Sequence, residues 1–151
     1  TNRGSIVTPL KDRIGSQILT HYPHNREIAK QITNQESQAA IEQTPNIHIP
    51  ELARDVLEQI SFEARKSDYV DAKSGVSARL SITAFENLLS TAERRMLISG
   101  ETETSLRMVD FLGIISSING KIELVYEGEQ EGAEQISYYL ISQAVKTLFP
   151  N

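Results

Sequence analysis

The chain has 151 residues, 39% of them hydrophobic and 23% charged, enough for one domain or for a small domain with part of another attached. Its net charge of -5 and isoelectric point near 5.2 disfavour a dedicated nucleic-acid binder, which needs a basic face to displace phosphate counterions. Cysteine is absent, which excludes disulfides, thiolate catalysis and Cys-ligated zinc and fits a reducing, cytoplasmic setting, and no run approaches the roughly 20 apolar residues of a membrane span.

No signal peptide is visible, and a chain opening on Thr1-Asn2-Arg3-Gly4 reads as the interior of a longer protein. Residues 1–7 are polar and read as a loop. Thr8 as N-cap and Pro9 in the first turn start a short helix that ends near Ile14, where Gly15 follows. Residues 16–22 mix polar, β-branched and aromatic side chains and read as a short strand stopped by Pro23. A lone strand needs a sheet, and this chain offers few partners, so the sheet is expected upstream. Residues 24–40 carry Ile28, Ile32 and Ala39 among polar residues and read as a helix with a thin apolar face. Residues 42–49, with Pro45, break the pattern, and a boundary falls there: 1–44 and 45–151.

Pro50 starts a helix in which Leu52, Val56, Leu57, Ile60 and Ala64 recur at helical spacing, ending near Ser67. A polar loop follows through Gly75. Ser81 reads as the next N-cap, and Ile82, Phe85, Leu88, Leu89, Ala92 and Met96 form the strongest apolar stripe, closed by Gly100. A third helix is expected over 104–117, with Leu106, Val109, Leu112 and Ile115 inward. Asn119-Gly120 is a turn signal, and Ile122, Leu124 and Tyr126 allow a short extended piece. A last helix is expected over 133–149, with Ile136, Leu140, Ala144 and Leu148 on one side. The predicted fold is mostly α: a short helix, one strand and a helix, then four helices sharing one core.

A complete catalytic set is missing from the sequence. There is no Gly-x-x-x-x-Gly-Lys-Ser/Thr loop to wrap phosphate, and no hydrophobic strand ending in Asp or Glu. His21 and His24 sit either side of Pro23 with no third ligand spaced to join them, so they read as polar residues at a strand end and no metal ligand is assigned. Glu127, Glu129, Glu131 and Glu134 lack the spacing of a calcium-binding EF-hand and read as a solvated acidic loop.

Two segments have a more specific look. One is Thr8-Pro9-Leu10-Lys11-Asp12-Arg13-Ile14-Gly15-Ser16, followed by Thr20-His21-Tyr22-Pro23. The other is Tyr69-Val70-Asp71-Ala72-Lys73-Ser74-Gly75-Val76-Ser77-Ala78-Arg79-Leu80-Ser81-Ile82, followed by Ala92-Glu93-Arg94-Arg95. Their order and separation, over nearly the whole chain, resemble the AAA+ ATPases of the magnesium chelatase and MoxR-like type. The lid segment and the tail from Gly120 to Gly128 are closer to a less characterised bacterial branch, and Ile14 stands where the family often has Phe.

The resemblance implies the end of an AAA+ α/β core followed by a helical lid, in a ring of identical subunits that uses ATP and Mg²⁺ to remodel a partner protein, with neither nucleic acid nor membrane as partner. It implies that Arg13 is an arginine finger acting on the neighbouring subunit's nucleotide, a contribution of about 10³ to 10⁵ in rate in related systems. It implies that Arg79 is the sensor-two residue reaching a phosphate in its own subunit, where a planar fork suits phosphate oxygens. Lys73 is a weaker phosphate contact. Without a phosphate-binding loop, residues 1–151 are expected to hold no ATP or Mg²⁺ and to be inactive alone. The bland alternatives are an Asp12/Arg13 surface pair and a solvated Arg79 at a helix start. Arg95 reads as solvated, and Arg94 as the residue that pairs with a neighbour or meets a subunit boundary. The rival reading of the whole is a stand-alone helical interaction domain without catalysis.

Overall fold

The computed structural model describes residues 8–16, 18–38, 44–73 and 75–149, and they are mostly helical. The helices are α1 (Thr8–Arg13), α2 (Arg26–Glu36), α3 (Glu51–Lys66), α4 (Leu80–Ser99), α5 (Ile115–Asn119), α6 (Tyr126–Glu131) and α7 (Ala133–Leu148). Two 3-10 segments, Thr44–Asn46 and Met108–Ile114, join them. The one sheet among the described residues is a parallel pair, β1 (Ile47–His48) with β2 (Thr104–Ser105), in the register Ile47 to Thr104 and His48 to Ser105. The expected opening loop, Gln17 of the expected strand, Ala39 and Ala40 of the expected second helix, Ile41, residues 42 and 43 of the expected break, Ser74 and residues 150–151 lie outside the described residues.

The core is built by α3, α4 and α7, closed at one side by the second 3-10 segment and α5. Val56, Leu57, Ile60 and Ala64 of α3 meet Ile136, Leu140 and Ala144 of α7 in one buried cluster. The stripe expected on α4 is buried at Phe85, Leu88, Leu89, Ala92 and Met96. Burial of each of the larger side chains is worth about 1.5 to 3 kcal/mol, so these stripes dominate the favourable energetics. Gly100 ends α4 at φ 69°, a left-handed turn that glycine takes without strain.

Several local expectations fail for identifiable reasons. Residues 18–22 form no strand: Ile18 is 86% exposed and Leu19 84%, and no described segment pairs with them. On α2 the predicted apolar face points outward, with Ile28 and Ile32 each 40% exposed, while Ala29, Lys30 and Thr33 are buried. That helix docks on α3 through charges and hydroxyls rather than through its isoleucines. Leu52 is exposed on the first turn of α3. Ser81 is not the N-cap of α4 but a buried residue of its first turn, bonded to Ser61 Oγ at 2.7 Å. The helix expected over 104–117 is split into β2, a 3-10 segment and α5, which buries Phe111, Ile114 and Ile118 and leaves Val109 and Leu112 exposed. The acidic stretch after Tyr126 is a short solvated helix, α6, rather than a loop.

The split at 104–117 is organised by Arg95, which is half-buried rather than solvated. Its Nε and Nη2 donate to the two oxygens of Asp110 at 2.9 and 3.0 Å, its Nη1 to Thr104 Oγ1 at 2.9 Å, and its Nη2 also to the Ser105 carbonyl at 2.8 Å. The Asp110 side chain is 1% exposed and also accepts the Arg107 N–H at 2.8 Å. One guanidinium thereby fastens β2 and the start of the 3-10 segment to α4. Arg94 faces solvent. Removing Arg95 strands a buried carboxylate, so Arg95→Ala lowers unfolding free energy by about 3 to 5 kcal/mol. Arg94→Ala changes it by less than about 0.5 kcal/mol. Urea denaturation of the two variants checks the contrast.

Candidate functional site

The loop between α3 and α4 carries two of the residues singled out in the sequence, and it is held from outside. Residues 121–125 run antiparallel beside it, with bridges pairing Val70 to Leu124 and Val76 to Ile122. Asp71 N–H donates to the Glu123 carbonyl at 2.9 Å, Ser77 N–H to Lys121 at 2.8 Å, Glu123 N–H to Gly75 at 2.7 Å and Val125 N–H to Tyr69 at 3.0 Å. Within the loop, Gly75 N–H donates to the Asp71 carbonyl at 2.7 Å. This turn is so tight that a Cβ on residue 75 would collide with the Asp71 backbone and the Val70 side chain. The stretch after Gly120 thus acts as a clamp on the loop.

The clamped loop runs directly into α4. Arg79 is the N-cap residue of that helix, exposed, with no side-chain capping bond, and its own N–H donates to Ser77 Oγ at 3.2 Å. Lys73 is exposed on the same loop, where its N–H donates to Asp71 Oδ1 at 3.0 Å. Lys73 and Arg79 therefore lie on either side of Gly75 in the segment that leads into α4. Arg13 does not join them there: it ends α1, a helix with no buried residue. Among the described residues none of the three forms an ion pair, and no Asp12–Arg13 pair forms. Several arginines elsewhere are committed, Arg95 to Asp110, Arg26 to Gln59 and Asp55, and Arg54 over the Phe85 ring.

Tyr22 ties the preceding segment to this loop. Its hydroxyl donates to the Val76 carbonyl at 2.5 Å, and the Arg65 guanidinium lies 4.1 Å from its ring centroid, with the Phe62 ring 5.1 Å away. Burial pulls the Arg65 pKa down from its usual value, opposed by Tyr22 and Glu58. Thr20, His21 and Tyr22 face Ala78 across an open pocket of about 410 Å³, immediately beside Arg79 in sequence. His21 and His24 stack on each other, ring centroids 4.2 Å apart.

Beneath the start of α4 lies a polar network that the sequence did not reveal. Glu58 is 2% exposed and accepts from Thr33 Oγ1 at 2.6 Å, and Ser81 reaches both Glu58 and Ser61. Burial pushes the Glu58 carboxyl up, against the Thr33 and Ser81 hydroxyls and the Arg65 and Arg54 charges that pull it down. Further along α2, Lys30 meets Glu27 at 2.8 Å, Glu51 at 2.5 Å and Asp55 at 3.0 Å. Burial works to lower the Lys30 pKa, but these three carboxylates outweigh it and raise it. The signal for Lys30 was present in the Glu27/Lys30 spacing; that for Glu58 was hidden, because a glutamate on a helix is ordinarily solvated.

No family model, curated protein or solved structure matches this chain.

The folded state holds a proton on Glu58 more tightly than the unfolded chain does. The stability linked to this group is therefore fully present below the unfolded value near 4.5 and is lost as pH rises through the higher folded one. Glu58→Gln removes that loss, so the variant gains stability relative to the wild type between acid and neutral pH, as urea midpoints measured across that range show. Gly75→Ala, which forces the loop open, lowers the melting temperature and speeds amide exchange at Asp71, Ser77 and Glu123 together.

Proposed function

We propose that the chain is the nucleotide-sensing C-terminal part of a cytoplasmic AAA+ ATPase of the magnesium chelatase type. In this reading Arg79 reads the phosphates of ATP, and movement of the lid helices passes that reading to a remodelled partner protein. The observation that carries the reading is the start of α4. A 20-residue helix begins with no side-chain cap and with an exposed arginine where the helix dipole disfavours a cation. The dipole favours an anion there, and an arginine beside it becomes favourable once a phosphate is bound. The clamp on the preceding loop supplies the rigidity that such a contact needs.

Arg13, exposed and without an ion pair among the described residues, is free to complete the nucleotide site of a neighbouring subunit in a ring. Lys73, on the clamped loop, adds positive charge on the same side of the sequence motif. When bound, Mg²⁺ offsets charge on the transferred phosphoryl group. The residues that hold it and the β- and γ-phosphates are not found in this sequence and belong, in this reading, to the upstream core. Among the described residues there is no group of three His, Asp or Glu side chains arranged to hold a metal ion.

In the full-length protein, Arg79→Ala reduces ATP turnover by on the order of 10²-fold or more, the scale of losing one charge-stabilising donor. Arg13→Ala reduces it by about 10³-fold or more while each subunit still binds nucleotide. Both variants keep the wild-type melting temperature, because neither side chain is buried. Steady-state turnover, nucleotide binding and thermal melts measured side by side check this. Unchanged turnover in both variants contradicts the proposal and leaves a helical interaction domain whose arginines are surface residues.

A further inference from the structure

On the far end of the clamped loop, Asp68, Tyr69, Glu127 and Tyr139 line a second open pocket of about 500 Å³. Its walls come from three elements. Asp68 and Tyr69 begin the loop after α3, Glu127 lies in the first turn of α6, and Tyr139 is on α7. The two tyrosine rings meet edge to face, centroids 5.8 Å apart at 84°. Tyr69 is held in place: its carbonyl accepts the Val125 N–H at 3.0 Å, and its side chain packs on the core. Tyr139 is 43% exposed, so its ring is open to a ligand. Asp68 and Glu127 are exposed, and among the described residues neither forms an ion pair.

We propose that this pocket binds the guanidinium of an arginine side chain presented by a partner polypeptide. Aromatic faces attract a cation through their ring quadrupole, and carboxylates at the rim supply charge and hydrogen-bond acceptors. All four described lining residues serve that chemistry, and none of them carries positive charge. A guanidinium fits better than an ammonium because its flat, weakly hydrated face stacks on a ring while its edge donates to carboxylates. The protein already uses this contact internally, with Arg65 over Tyr22 and Phe62 and Arg54 over Phe85. Further along the chain, Glu131 and Glu134 are also exposed, which favours approach of a basic segment. The proposal stands apart from the nucleotide reading, since it involves neither Arg13 nor Arg79.

The test is a titration of the isotope-labelled chain with the peptide acetyl-Gly-Arg-Gly-amide, followed by amide and tyrosine-ring chemical shifts. Saturable shifts centred on Tyr69 and Tyr139 are expected. Tyr139→Ala weakens binding by about tenfold, whereas Tyr139→Phe, which keeps the ring, binds as the wild type does. Glu127→Gln weakens it several-fold, and Glu129→Gln, on the same helix but outside the pocket lining, leaves it unchanged. The same peptide with citrulline in place of arginine, equal in shape but neutral, does not bind. Absence of saturable shifts, equal binding of the citrulline peptide, or equal losses in Glu127→Gln and Glu129→Gln overturns the proposal. A lysine peptide binding as tightly as the arginine one overturns the guanidinium assignment.

Discussion

Among the described residues, four backbone hydrogen bonds between residues 69–77 and residues 121–125 fix the loop that leads into α4. Each is worth about 1 kcal/mol net, but their effect is geometric more than energetic. A loop of this composition, polar and containing glycine, would otherwise sample many conformations. Once paired, it presents Val76's carbonyl to Tyr22, buries Val70 and Val76 in the core, and sets the position at which α4 begins. The pocket beside Ala78, the exposed Arg79 and the pocket behind Tyr69 all take their shape from this pairing. The tail after Gly120 therefore has a mechanical role: it makes a rigid platform of a segment that its own sequence leaves mobile in principle.

The second organising feature is where charge is buried. Apolar stripes hold α3, α4 and α7 together, but the outer elements are attached by polar contacts. Arg95 and Asp110 attach β2 and the 3-10 segment. Lys30 attaches α2 to α3 through Glu51 and Asp55, and Glu58 links α2, α3 and the first turn of α4 through Thr33 and Ser81. Such contacts contribute less to stability than apolar packing of the same volume, because desolvation offsets much of the attraction. They do specify one arrangement, since a shifted register would leave a buried charge unpaired. This polar attachment explains why Ile28 and Ile32 of α2 remain on the surface.

The parts of the fold that were legible from the sequence are those governed by helical periodicity. The α3, α4 and α7 stripes, the closing Gly100 and the extended piece at Ile122 and Leu124 all follow from spacing and turn chemistry. Periodicity misled where a different force won. At 104–117 the apolar spacing mimics an α-helix, yet the pull of Arg95 on Thr104, Ser105 and Asp110 breaks it into three pieces. Arg95 lies seven residues beyond Leu88, on the inward side of α4; a charge at core spacing was the available sign that it had a buried partner. Of the candidate site, the placement of Arg79 at the start of a long helix was legible. Tyr22, Arg65 and the clamp were not, because they depend on contacts between segments far apart in the chain.

Together these features describe a helical unit with a stiff, cation-bearing corner. The proposed nucleotide contact uses that corner as a sensor: a phosphate drawn to Arg79 would be tied through the loop to the helical core. The measurement that tests this most directly is a structure of the full-length protein with Mg²⁺ and a non-hydrolysable ATP analogue. A sensing Arg79 places its guanidinium within about 3 Å of a phosphate oxygen, with residues 69–77 still paired to 121–125. Arg79 remaining in solvent, with nucleotide bound elsewhere or not at all, contradicts it.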